Sequence, residues 1–147
     1  MKLSTRVRYG TRALVDLAIH QGKGPALLKD IAAREQISLP YLRHLVTPLV
    51  TNGIVRSTRG PRGGVTLTRP PEEVKMSDVI QLLDGSICPA ECSENPEACS
   101  RSSACATRDL WEMVNKAITG VLETTTLNDL VEWQKSKERF REPMYYI

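Results

Sequence analysis

Aromatic side chains are scarce: two Trp, four Tyr and one Phe in 147 residues. Any core must therefore be aliphatic, and a hydrophobic content of 41% is enough to build one. Long apolar runs are missing. They fall far short of the ~18 residues that a membrane helix needs, and Met1 to Arg6 leads straight into a charged helical pattern with no apolar signal core. The expectation is a cytoplasmic chain with no membrane partner. Catalytic constellations are missing too. There is no Ser/His/Asp arrangement with a supporting motif, no phosphate-cradling glycine loop and no recognisable carboxylate pair. Neither an enzyme nor a small-molecule substrate is expected. Histidines number two, His20 and His44. His20 falls at the end of a helical stretch, where a cation is favoured, and reads as that rather than as a ligand.

What is present is an uneven distribution of charge. The net charge of +3 conceals a split: residues 1–70 carry twelve Lys and Arg against three acids, and residues 71–147 carry eight against fourteen. The first half is thus at +9 and the second at −6. A basic half of this kind suggests a polyanion-binding module joined to something else. The length suits one domain or two small ones.

Helical spacing opens the chain. Gly10, Ala13, Leu14, Leu17 and Ala18 form one stripe, with Thr5 as the expected cap and Gly22 and Gly24-Pro25 as the stop. Leu28, Ile31 and Ala32 mark a short second helix without a polar cap. After Gln36-Ile37, Ser38 caps a third helix bearing Leu42, Leu45, Val46 and Leu49. Pro48 predicts a kink or a tightened last turn there, and Asn52-Gly53 closes it. Two strand-like runs follow, Ile54–Thr58 and Val65–Thr68, around Arg59-Gly60-Pro61-Arg62-Gly63-Gly64. Helix, short helix, turn, helix, hairpin is the order of a winged helix-turn-helix. The fold class is therefore mainly α with a small β wing. Beyond Pro70-Pro71, Met76, Val79, Ile80 and Leu83 mark another helix ended by Gly85. A loop without apolar periodicity spans Cys88 to Cys105. A long helix from about Arg108 to Glu123 then carries a wide apolar stripe, more than so small a chain can easily cover alone. Thr126 and Asp129 are a capping pair for a last helix from Leu127 to roughly Gln134.

Three stretches carry chemistry. The third helix offers Tyr41, Arg43 and His44 behind its Ser38 cap: Arg pairs with guanine, and Tyr reaches phosphate or a thymine methyl. The hairpin tip places Arg59 and Arg62 among glycines, Gly60 included, and a stiff arginine-tipped hairpin suits minor-groove insertion and phosphate contact. The expected partner is double-stranded DNA. The cysteines are spaced Cys88-x3-Cys92-x6-Cys99-x5-Cys105. Tetrahedral zinc sites use pairs two to four residues apart, which only the first gap matches, so zinc is the lesser reading. The wider gaps suit an iron–sulfur cluster held by thiolates of a wrapping loop. Free thiols or a disulfide pair remain alternatives.

These residues resemble the IscR-like family of bacterial transcription regulators that bind iron–sulfur clusters, from Met1 to about Trp133. The resemblance rests on Met1-Lys2-Leu3-Ser4-Thr5 with Arg8-Tyr9, Asp30-Ile31-Ala32, Ile37 to Leu42 and Asn52-Gly53-Ile54-Val55. It rests above all on Arg59-Gly60-Pro61 with Gly63-Gly64. Cys92, Cys99 and Cys105 followed by Leu110-Trp111, and Thr126 to Leu130, complete it.

The resemblance implies a homodimer through crossed long helices, with Leu110, Val114, Ala117, Ile118 and Val121 at the interface and each wing in a minor groove. It implies a 2Fe–2S cluster on Cys92, Cys99 and Cys105 that alters which DNA sites are bound, usually at genes for cluster assembly. Related members sense nitric oxide, often with 4Fe–4S, or govern cysteine metabolism without a cluster. Three positions depart from the family. Arg108 stands where IscR proper has a histidine three residues after the last cysteine. Arg8 lies in the stretch from which some nitric-oxide sensors lend an aspartate. Arg43 replaces a glutamate that helps cluster-free protein discriminate between sites. Cys88 is an extra thiol and a candidate fourth ligand, with a carboxylate as the alternative, from Glu91, Asp109 or the partner's N-terminal helix. The implied organisation is a DNA-binding domain over 1–71, a linking helix and cluster loop over 72–107, the dimerisation helix and its follower over 108–134, and a tail over 135–147.

Overall fold

The computed structural model describes residues 2–141. Three helices open it: α1 (Thr5–Ile19), α2 (Leu28–Glu35) and α3 (Leu39–Thr51). The α1 stripe is buried as its periodicity requires, through Val7, Gly10, Ala13, Leu14, Leu17 and Ala18. Its cap is Ser4 rather than Thr5: the Ser4 hydroxyl accepts from the Val7 N–H at 3.3 Å. Thr5 lies inside the helix, and its Oγ1 accepts a hydrogen bond from the Tyr41 hydroxyl at 3.3 Å. Two neighbouring hydroxyls thus divide capping and interhelical contact. Helix α2 starts at Leu27 without a side-chain cap and ends at Gln36 in the left-handed region, φ 55. That turn brings in Ser38, which accepts from the Tyr41 N–H at 3.4 Å and caps α3. Helix α3 runs on through Pro48 to Thr51. There the Thr47 and Thr51 hydroxyls donate to the Arg43 and Thr47 carbonyls one turn back.

The hairpin consists of β1 (Val55–Thr58) and β2 (Gly64–Leu67), antiparallel with Val55 opposite Leu67. A third rung ties it down. Ala26, in the α1–α2 connection, donates to Val65 O at 2.9 Å and accepts from Val65 N at 2.8 Å. The hairpin therefore cannot swing freely from the helices.

Helix α4 (Met76–Asp84) buries Met76, Val79, Ile80 and Leu83 and ends at Gly85. Gly10 makes room for it, since a Cβ at that position would lie 2.6 Å from Leu83 Cδ1. Three short 3-10 turns, Glu91–Ser93, Pro96–Ala98 and Ser102–Ala104, make up the cysteine segment. Helices α5 (Ala106–Thr124) and α6 (Leu127–Arg139) follow. The Thr126–Asp129 capping box is formed in full.

Helix α6 extends beyond its expected end near Gln134. Lys135 pairs with Glu132, Gln134 bonds Glu138, and Lys137 and Arg139 sit in the last turn, where cations are favoured. Residues 142–147 of the expected tail lie outside the described residues.

A single core crosses Pro70-Pro71. Leu127 and Val131 of α6 join Val74, Val79 and Leu83, and these meet Leu14, Ile31, Leu42 and Ile54. Backbone bonds seal the seam, Met76 N–H to Thr125 O at 2.9 Å and Leu127 N–H to Val74 O at 2.8 Å.

Candidate functional site

Helix α3 buries Leu42, Leu45, Val46 and Leu49 and turns Arg43, His44, Thr47 and Thr51 outward. These four recur at helical spacing, so one exposed stripe carries a cation, an imidazole and two hydroxyls. Ser38 is spent on the cap. Tyr41 is half-buried: its ring meets Tyr9 edge-on, centroids 6.2 Å apart at 86°, and its hydroxyl is bonded to Thr5. The Arg12 guanidinium lies 5.3 Å over the Tyr9 ring and donates to the Glu35 carboxylate at 2.9 Å and to the Glu35 carbonyl. Thr5, Tyr9, Arg12, Glu35 and Tyr41 therefore join α1, the end of α2 and the first turn of α3. Tyr41 belongs as much to this clamp as to any outward contact. Sequence reasoning missed the clamp, because its partners lie far apart in the chain.

The wing tip exposes Arg59, Gly60, Pro61 and Arg62, and β1 adds exposed Arg56, Ser57 and Thr58. Gly63 is buried at the tip. A Cβ there would run into the Thr58 carbonyl oxygen, so only glycine lets the hairpin close. Its glycine serves the turn itself. Arg8 is exposed on α1. The ion pairs of the described residues take up Arg12, Arg34, Lys116 and Lys135, with His20 beside Asp16, and leave Arg8, Arg43, Arg59 and Arg62 uncompensated. The basic half thus presents free cations on the recognition stripe and the wing, which is where a polyphosphate backbone would be met.

The cysteine loop is built differently. All four thiols are free and half-buried. The Cys88 Sγ donates to the Ala90 carbonyl at 2.7 Å and lies 2.8 Å from the Ser93 hydroxyl. It thus sits against the turn that carries Cys92. The Arg108 Nε donates to the Cys92 carbonyl at 2.9 Å, so the side chain that replaces the expected histidine fastens the loop to α5. At Cys105 the Thr107 hydroxyl, 3.1 Å away, and the Arg108 backbone N–H hold the thiol below its ordinary value, toward thiolate. Among the described residues no three Cys, His, Asp or Glu side chains converge on one point. The donor chemistry nevertheless fits a thiolate-bound cluster: several uncommitted soft sulfurs, one of them biased to its ligating form, on a loop with no packed core of its own.

Helix α5 has 19 residues, none buried. Leu110, Met113 and Val121 are 51%, 69% and 63% exposed. Leu110, Val114, Ala117 and Val121 share one narrow stripe. Ile118 lies about a quarter-turn away, half-buried beside Ile80, Ile87 and Leu122, and so serves contact with α4 as well.

The profile of the Rrf2 family, described as iron-dependent transcriptional regulators, matches residues 3–133. The chain belongs to the Rrf2 family. Protein rrf2 of Nitratidesulfovibrio vulgaris is 42% identical over 131 residues, 89% of this chain and 87% of that one. The HTH-type transcriptional regulator CymR of Bacillus subtilis is 38% identical over all 147 residues and the whole of its own length. The solved structure of that CymR, the global cysteine regulator, superimposes with a TM-score of 0.77 over 90% of this chain and 98% of that one. T. potens IscR, 38% identical, superimposes at 0.75 over 99% and 97%. This Rrf2 chain is an IscR-like transcription regulator with the winged-helix fold of its relatives, and regulators of this family bind DNA. No helix among the described residues is long and apolar enough to cross a membrane.

Proposed function

We propose that this Rrf2 regulator is a cytoplasmic homodimer whose choice of DNA site depends on an iron–sulfur cluster, and that it controls cluster-assembly genes, its own operon included. The observation that carries this reading is the loop of free, half-buried thiols fastened by Arg108 to the foot of a helix with no buried residue. Loop and helix are the two parts that the chain leaves incomplete, and they adjoin. The face of Leu110, Val114, Ala117, Ile118 and Val121 pairs with its copy. In DNA binding, Arg43 and His44 read a major groove, Arg59 and Arg62 enter the minor groove beside it, Gly60 lets the tip come close, and Arg8 meets phosphate.

Cys92, Cys99 and Cys105 would hold the cluster, 2Fe–2S in this reading and 4Fe–4S in the nearest variant. Cys88 would supply the fourth ligand, being already seated against the Cys92 turn. Bound there, the cluster supplies a redox- and iron-sensitive group. Arg108 orients the Cys92 backbone, and Thr107 keeps Cys105 ready to ligate.

A second reading, a cluster-free regulator of cysteine metabolism, draws on the end-to-end match with CymR. One experiment separates them. Protein purified without oxygen is examined by visible spectroscopy and by gel shift on its own promoter, with and without cluster. Charge-transfer bands and a shift that differs between the two forms support the first reading. Colourless protein with a single binding curve supports the second.

A further inference from the structure

Helix α3 buries Leu42, Leu45, Val46 and Leu49 and turns its opposite face outward. Wound at the α-helical repeat, the exposed residues Pro40, Thr47 and Thr51 fall within about 20° of one line down the middle of that face, with Arg43 about 60° to one side and His44 about 40° to the other. Arg43 and His44 are thus polar flanks, and Thr47 lies between them, one turn further along.

The middle line offers no free proton. Thr47 donates its hydroxyl to the Arg43 carbonyl at 2.8 Å, and Thr51 donates to the Thr47 carbonyl at 3.0 Å. Pro40 has no N–H. Threonine hydroxyls bonded one turn back are ordinary in helices. Here they fall along the centre of the outward face and strip it of donors. In a major groove the purine N7, guanine O6 and thymine O4 need donors, and the apolar group on offer is the thymine 5-methyl. A centre of methyl and pyrrolidine groups suits that methyl, while the guanidinium and imidazole at the flanks suit the acceptors. Of the two threonines, Thr47 is the better placed. Recognition helices meet base edges with their N-terminal residues. Thr47 lies about 6 Å of helical rise beyond Arg43, and Thr51, the last residue of the helix, about 12 Å beyond it.

We propose that Thr47 is a specificity-determining residue that reads the 5-methyl group of a thymine through its own γ-methyl, beside the bases that Arg43 and His44 reach. This rests on α3 being the helix that enters the major groove. The hydroxyl, turned onto the Arg43 carbonyl, holds the side chain in place and takes no part in the reading.

The test selects a duplex from a randomised library with the full chain, kept anaerobic. Each thymine of the selected site is then replaced by uracil, which removes the 5-methyl and leaves the hydrogen-bonding groups unchanged. Affinity is followed by fluorescence anisotropy. At one thymine position of the site, uracil should weaken binding about fourfold, the value of one buried methyl group. Thr47→Ser keeps the hydroxyl and drops the methyl. It should bind the thymine and uracil duplexes alike, so that the two losses do not add. Thr47→Val keeps the methyl and drops the hydroxyl, and should distinguish the two duplexes as the unchanged chain does. Thr51→Ser should distinguish them too. Both positions are exposed, so an unchanged Tm should show that each variant is folded. The assignment is overturned if no uracil replacement weakens binding, if Thr47→Ser still distinguishes the duplexes, or if Thr51→Ser loses the distinction instead. It is overturned in favour of the hydroxyl if Thr47→Val loses it. A library that yields no selected duplex refutes the DNA reading of α3 itself, and this assignment with it.

Discussion

The two halves of this molecule close themselves to different degrees. Helices α1 to α4 and the wing bury their apolar stripes, cap two of their helices with serine and pin the hairpin through Ala26. Beyond α4, the cysteine loop is held by short turns and a few side-chain bonds, and α5 has no buried residue, with Leu122 only partly covered against the core. Isolated helices of this length draw most of their stability from tertiary packing of one face. In the proposed dimer, this 19-residue amphipathic helix without a buried residue is half of an interface. In the same proposal the loop is the frame of a site rather than a packed unit. The difference separates a packed scaffold from the parts that the proposed dimer and cluster would complete.

The sharpest way to break this contrast is to place a charge on the free stripe. Val121→Asp should convert the proposed dimer to a monomer on light scattering and abolish tight operator binding. Each such side chain contributes roughly 1.5–3 kcal/mol on burial, and a two-fold interface contains it twice. Ile118→Asp should instead lower Tm as well, because that side chain also packs toward α4. Next in size is Leu127→Ala. Leu127 is fully buried at the seam between the halves, and its truncation should cost about 2–5 kcal/mol in denaturant unfolding. A loss under about 1 kcal/mol would mean that the seam contributes little to the core.

Smaller effects sharpen the contrast within the DNA-facing half. Arg59→Ala should lower DNA affinity by about 1–3 kcal/mol and reduce the salt slope by about one, whereas changes at Arg43 or His44 should alter which sequence is preferred. Fluorescence anisotropy on specific and scrambled duplexes distinguishes the two. Arg12→Ala removes the cation over Tyr9 and the bonds to Glu35 without touching the DNA stripe. It should weaken specific binding more than non-specific binding, by about 1 kcal/mol, with the salt slope unchanged.

Legibility follows the same division. Periodicity placed the α1, α3 and α4 stripes and both strands, since each rests on local spacing of apolar residues. It placed the Ser38 cap and the Thr126–Asp129 box for the same reason. It missed the Ala26 rung, because one isolated pair leaves no pattern. It read Tyr41 as outward-facing because the Thr5 and Tyr9 partners come from another helix. The cysteine spacing pointed to thiolate chemistry. The role of Arg108 was hidden, because its use is a bond to a backbone carbonyl and not its charge.

The central claim, that one half is complete and the other is completed from outside, is tested most directly by amide hydrogen exchange on anaerobic protein with and without its cluster. Cluster loading should protect residues 88–105 and the first turns of α5 strongly, and leave α1 to α4 and the wing unchanged. Equal exchange of the cysteine loop in both forms, or protection spread evenly over the whole chain, would contradict it.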